Sequence, residues 1–84
     1  MTPDDAAHIA DKCGTLGLRI ALEVERSHEK GEDWPIMVPL GMADRLRVDH
    51  ERIRFALKSL VYWIILERNP ERSGFQRVRL VGWS

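Results

Sequence analysis

The chain has 84 residues, 44% of them hydrophobic and 31% charged, and its 13 basic and 13 acidic side chains balance to zero. That size makes one small domain that buries roughly 60 to 65% of its unfolded surface, too apolar to be disordered, with a modest core that pairing with a second copy would help. A single cysteine, Cys13, excludes an intramolecular disulfide and a zinc site built of several thiolates and fits a reducing, cytoplasmic setting, while the longest apolar run, Val61 to Leu66, is far short of the roughly 20 residues of a membrane-spanning helix.

The opening Thr2-Pro3-Asp4-Asp5 reads as a helix start, acidic where a secretory signal would be basic. Thr2 takes the N-cap, Pro3 the first helical position, and Asp5 completes a capping box. Ala6, Ile9, Ala10 and Cys13 keep to one side of this helix, and Gly14 and Gly17 leave its continuation open. Residues 18–26 alternate like a strand at Leu18, Ile20, Leu22 and Val24, yet Leu16, Ile20 and Val24 also fit a helical stripe. Helix is preferred, because Ala, Leu, Glu and Arg favour it and Lys30-Gly31 looks like its C-cap. Residues 1–30 thus form an N-terminal helical region.

Gly31 to Pro35 is a turn, and a short edge strand at Ile36-Met37-Val38 is the natural reading before Pro39. A second helix spans about Leu40 to Arg47, followed by a turn at Val48. Asp49 caps the third helix, with Glu51 in its first turn. Ile53, Leu57, Leu60 and Ile64 share the apolar face of that helix, and Arg52, Arg54, Lys58 and Ser59 lie mainly off it. Two strands follow, Ile64 to Arg68 and Gln76 to Val81, joined through the turn formers of Asn69 to Phe75 into a hairpin. Val78 and Leu80 face the core, and Arg77 and Arg79 make the opposite face basic.

The neutral total hides a split. Residues 1–43 hold 4 basic and 8 acidic side chains, and residues 44–84 hold 9 basic and 5 acidic. The half with the helix-turn-helix pattern is therefore the basic half, and it is the local field that a polyanion meets.

Over residues 36–81 the chain resembles the winged helix-turn-helix of bacterial transcription regulators of the multiple-antibiotic-resistance and gluconate-repressor types. The likeness is carried by Met42-Ala43, Leu46, Val48, Ile53-Arg54, Ala56-Leu57, Leu60, Ile65-Leu66 and Glu67-Arg68. One departure is Ile64, standing where those families place glycine, which leaves the end of the third helix and the start of the first strand open. The resemblance implies an α+β, mainly α fold over a single domain, 1–84, with a three-helix core and a β-hairpin wing. It also implies a recognition helix in the major groove of double-stranded DNA and a wing on the backbone or in the minor groove. His50, Glu51, Arg52 and Arg54 would then reach base edges, and Lys58, Arg72, Arg77 and Arg79 phosphates, joined by Arg45 and Arg47.

Plainer explanations exist for the same residues. Arg52 and Arg54 fit a solvated helix face partnered by Asp49 and Glu51, the arginines of the second strand fit an edge guarded by charge, and Asp49 and Glu51 read first as caps. His8, His28 and His50 lack ligand spacing, Ser27-His28 lacks a nucleophile elbow, and no glycine loop suits a phosphate. Neither metal, cofactor nor catalysis is expected. Trp34, Trp63 and Trp83 default to core packing, with room for one at an interface.

The expectation is a small sequence-specific DNA-binding regulator acting as a homodimer through its acidic first helix. The alternative is a winged-helix module that docks on a protein partner. A continuous positive surface over the third helix and wing would favour DNA, and an apolar patch centred on Trp or Tyr would favour protein.

Overall fold

Thr2 and Asp5 exchange two hydrogen bonds, Asp5 N to Thr2 Oγ1 at 3.1 Å and Thr2 N to Asp5 Oδ2 at 3.2 Å, the expected capping box. From it grows helix α1, Pro3–Glu29, followed by α2, Pro39–Leu46, α3, His50–Tyr62, and the strands β1, Leu66–Arg68, and β2, Val78–Leu80. This computed structural model describes residues 1–35, 39–71 and 77–82, with 39 and 40 described in their backbone alone. The edge strand expected at Ile36-Met37-Val38, and Arg72, Phe75, Gln76 and Trp83, lie outside the described residues. The fold is α+β and mainly helical, with β1 and β2 paired antiparallel in the register Leu66↔Leu80, Glu67↔Arg79 and Arg68↔Val78. Among the described residues no helix is long and apolar enough to cross a membrane.

Residues 18–26 are helical, and Ile20 and Val24 are fully buried along the stripe that continues to His28. At Gly14, however, φ 74° and ψ 178° break α1 into two segments, 3–13 and 15–29. That combination belongs almost solely to glycine. The break reverses the chain. In one straight helix Met1 and Glu25 would stand about 36 Å apart, yet the Met1 ammonium lies 2.6 Å from Glu25 Oε2. The ion pair, chiefly through its hydrogen bond, holds that amine above its ordinary range. Gly17 is required for a separate reason: a Cβ there would meet Cys13 Cβ at 2.4 Å.

All three helices end in the same geometry. After α1, Gly31 N–H donates to His28 O and Glu32 N–H to Ser27 O, with Gly31 at φ 98°. This is the expected glycine cap. After α2, Val48 N–H donates to Ala43 O with Arg47 at φ 54°, and after α3, Ile65 N–H donates to Leu60 O with Ile64 at φ 60°. Only the first uses glycine. The second helix thus begins at Pro39, one residue before the expected Leu40, because proline suits a first helical turn. Ile64 corrects the expectation that placed it on the apolar face of the third helix and at the head of the first strand. The helix stops at Tyr62, the left-handed turn swings Ile64 outward to 72% exposure, and pairing starts only at Leu66.

Ile20 and Val24 of α1, Met42 of α2, Ile53, Leu57 and Leu60 of α3, Leu66 of β1 and Val78 of β2 form one fully buried core, joined at its margin by Ile9. The strand pair is fastened to α1 by His28. Its Nε2 accepts from Leu80 N–H at 3.1 Å and its Nδ1–H donates to Glu32 O at 2.8 Å, a division of roles that sets the tautomer. A further backbone bond runs from Val78 N–H to Pro35 O.

Candidate nucleic-acid interface

Three residues, Arg47 to Asp49, separate α2 from α3. The turn closes through the Val48 bond to Ala43, and Asp49 caps α3 by accepting from Glu51 N–H at 2.9 Å. With Ile53, Ala56, Leu57 and Leu60 turned into the core, helical periodicity sends Glu51, Phe55, Lys58 and Tyr62 to the far side, with Arg54 and Arg52 flanking them. Of these, Glu51, Arg52, Arg54, Phe55 and Lys58 are exposed along the helix, and Tyr62 is exposed at its end. Arg52, Arg54 and Lys58 form no ion pair with any described residue, so three cations stand on about two turns of helix with their charges uncommitted. His50 is held between acids instead, Nε2 3.1 Å from Glu51 Oε1 and Nδ1 3.7 Å from Asp49 Oδ1.

The remaining expected contacts divide. Arg45 grips Glu23 of α1 with two hydrogen bonds of 3.0 and 3.1 Å, while Arg47 is exposed in the turn. Arg79 pairs with Glu67 across the strands and lies 4.4 Å over the Trp34 ring. Arg77 donates to Trp34 O at 3.1 Å. The outer face of β2 is therefore not the simple basic face expected. Cross-strand register sets Glu67 opposite Arg79, and the turn before α2 lays Trp34 against both arginines. Arg72 lies outside the described residues.

The same helix carries an apolar component. Phe55 is 72% and Tyr62 76% exposed, and Tyr62 meets Trp63 edge to face with centroids 5.2 Å apart. Trp63, expected in the core, is 42% exposed and is covered in part by Lys12, whose Nζ lies 4.9 Å from the ring centroid. A shallow groove of about 480 Å³ runs between Phe55, Arg52 and the reversal at Cys13 and Gly14. Burial pushes the Cys13 thiol above its ordinary range.

His28 is the residue whose part was missed in the sequence. It sits on the Ile20–Val24 stripe, a signal that it faces inward, but its bond to Leu80 spans 52 residues and has no local signature. Among the described residues no group of three or more His, Cys, Asp or Glu is placed to hold a metal ion. No protein-family model, curated protein or solved structure matches the chain.

Proposed function

We propose that the chain is a winged helix-turn-helix protein that binds double-stranded DNA sequence-specifically, with α3 as its recognition helix. It acts as a small cytoplasmic transcription regulator by occupancy, performing no chemistry. The observation that carries this is the uncommitted charge on α3, where Arg52, Arg54 and Lys58 are exposed and none pairs with a described acid. An α-helix fits the major groove, and an arginine there can bond guanine O6 and N7 together. Phe55, on the same outward side, suits the methyl group of thymine. Lys58 is a phosphate contact, and Arg79 and Arg77, with their charges partly engaged at the strand pair, act at the flank. Acting as a homodimer, the protein would set two such helices about one DNA turn apart.

The test is fluorescence anisotropy of a labelled duplex of random sequence, titrated at several salt concentrations with the protein and with an Arg52→Ala/Arg54→Ala variant. Affinity should fall steeply with salt, and the variant should bind more weakly with a slope shallower by about 0.9 for each phosphate it no longer neutralises. Absence of binding at low salt refutes the assignment.

A second role, docking on a protein, is favoured by the exposure of Phe55 and Tyr62 on the same face. Aromatic side chains are enriched at interfaces. That reading takes over if DNA binding is absent and a Phe55→Ala/Tyr62→Ala variant loses a partner that Arg52→Ala/Arg54→Ala retains.

A further inference from the structure

The reversal at Gly14 makes segment 3–13 a separable arm. Two glycines hold the reversal open to the backbone, Gly14 by its left-handed φ and Gly17 by the 2.4 Å approach to Cys13 Cβ that any side chain would forbid. Both sides of the break are helical, so the local alternative is one continuous helix over the 27 residues of α1. The arm is held to the rest of the chain at few points: the Met1 ammonium on Glu25, Lys12 over Trp63, and Ile9 in the edge of the core. Between the arm and the rest of the chain a space of about 380 Å³ stays open, with Met1, Asp5, His8 and Ile9 on the arm side and Trp63 and Leu80 among the residues opposite.

We propose that two copies of the chain exchange these arms. In the dimer α1 is a single straight helix, and each arm lies against the other copy, remaking there the contacts with Glu25, Trp63 and the core edge that it makes within its own chain. The partner is a second copy because the surface the arm leaves, with Glu25 and Trp63, is already fitted to this arm, and reciprocal exchange closes a two-fold symmetric pair. In the monomer the arm is tethered at a high effective concentration, so the closed chain prevails when dilute. The proposal is independent of what α3 binds.

Alanine at positions 14 and 17 reverses that preference. Position 17 is helical in both shapes, so the helix preference of alanine counts only at 14, where it favours the straight helix by about fivefold per chain, hence about 25-fold in the dimerisation constant. The closed form is weakened further through the φ at Gly14 and the close approach at Gly17. Spin labels on Asp4→Cys and Glu29→Cys, in a Cys13→Ala background, read the two shapes. A straight helix sets the labelled positions about 38 Å apart, and the reversed chain holds them much closer. In light scattering the Gly14→Ala/Gly17→Ala variant should be a dimer at micromolar concentration. Its intrachain distance, in dimers diluted with unlabelled chain, should be near the long value. The unaltered glycines should give a minor dimer with the same long distance after incubation at millimolar concentration. A folded monomeric alanine variant, a dimer that keeps the short distance, or a variant unfolded even at millimolar concentration overturns the proposal, since the exchanged dimer accommodates alanine at both positions.

Discussion

Ile64 is a β-branched residue at φ 60°, in the turn that ends α3. An L-residue in the left-handed region pays about 1–2 kcal/mol for the closeness of its Cβ to the following carbonyl. Comparing Ile64→Ala with Ile64→Gly isolates that cost, because both variants lose the same largely exposed side chain and differ only in Cβ. Glycine escapes the penalty but gives up about 0.4–1 kcal/mol through the greater freedom of its unfolded chain. The difference leaves Ile64→Gly more stable than Ile64→Ala by about 0.8 kcal/mol, or roughly 3–6 °C in Tm for a domain of this size. At an ordinary helical or extended position the order is the opposite, with alanine ahead by about 0.5–1 kcal/mol. Urea and thermal unfolding of the two variants decide the sign. An alanine variant as stable as the glycine variant, or more so, would show that Ile64 does not occupy the left-handed turn.

His28→Ala removes a buried ring and leaves the Leu80 N–H without its acceptor. The cost should be about 2–4 kcal/mol, read as a lower urea midpoint at unchanged slope, and a loss within about 0.5 kcal/mol would refute the fastening role. Glu67→Gln frees Arg79 from its ion pair, so in the DNA titration it should raise affinity at low salt and steepen the salt dependence by up to about 0.9; an unchanged slope would show that Arg79 contributes no phosphate contact. Hydrogen bonds from the Thr2 backbone and hydroxyl hold the Asp5 carboxyl below the usual carboxylate range. A carboxyl lowered in the folded state supports folding above its unfolded value, about pH 4, and that support is lost as pH falls through the folded value. The Thr2 amide resonance should therefore titrate below pH 4 together with fraying of the first turn of α1, and titration at the ordinary carboxylate position would contradict the capping box.

What could be seen in the sequence was mostly local. The Thr2–Asp5 box and the Asp49 cap are set by side chains within a few residues of the backbone groups they satisfy, and the Gly31 terminus by the positive φ that glycine allows. Ile53, Leu57 and Leu60 announce their face by spacing alone. The exposed positions of Arg52, Arg54 and Lys58 follow from that same spacing. The reversal at Gly14 was not legible, because glycine weakens a helical pattern without giving the new direction of the chain. Nor were the Arg45–Glu23 and Arg79–Glu67 pairs, which depend on a helix crossing and a strand register. At Ile64 only the resemblance marked the place, as one where glycine usually stands: the hydrogen bonds that glycine serves are made by a residue whose type predicts a strand.

The bond between His28 and Leu80 also bears on synthesis. Val78, fully buried, and Leu80 close the core over residues made long before them. At about 5–20 residues per second, roughly one to four seconds separate the making of Leu60 from that of Leu80. Until the second strand is made, Ile20 and Val24 of α1 lack part of the cover they have in the finished core. The second strand is thus a lid fitted after the helices, and a chain interrupted just before Val78 would be complete in its helices and unable to shut its core.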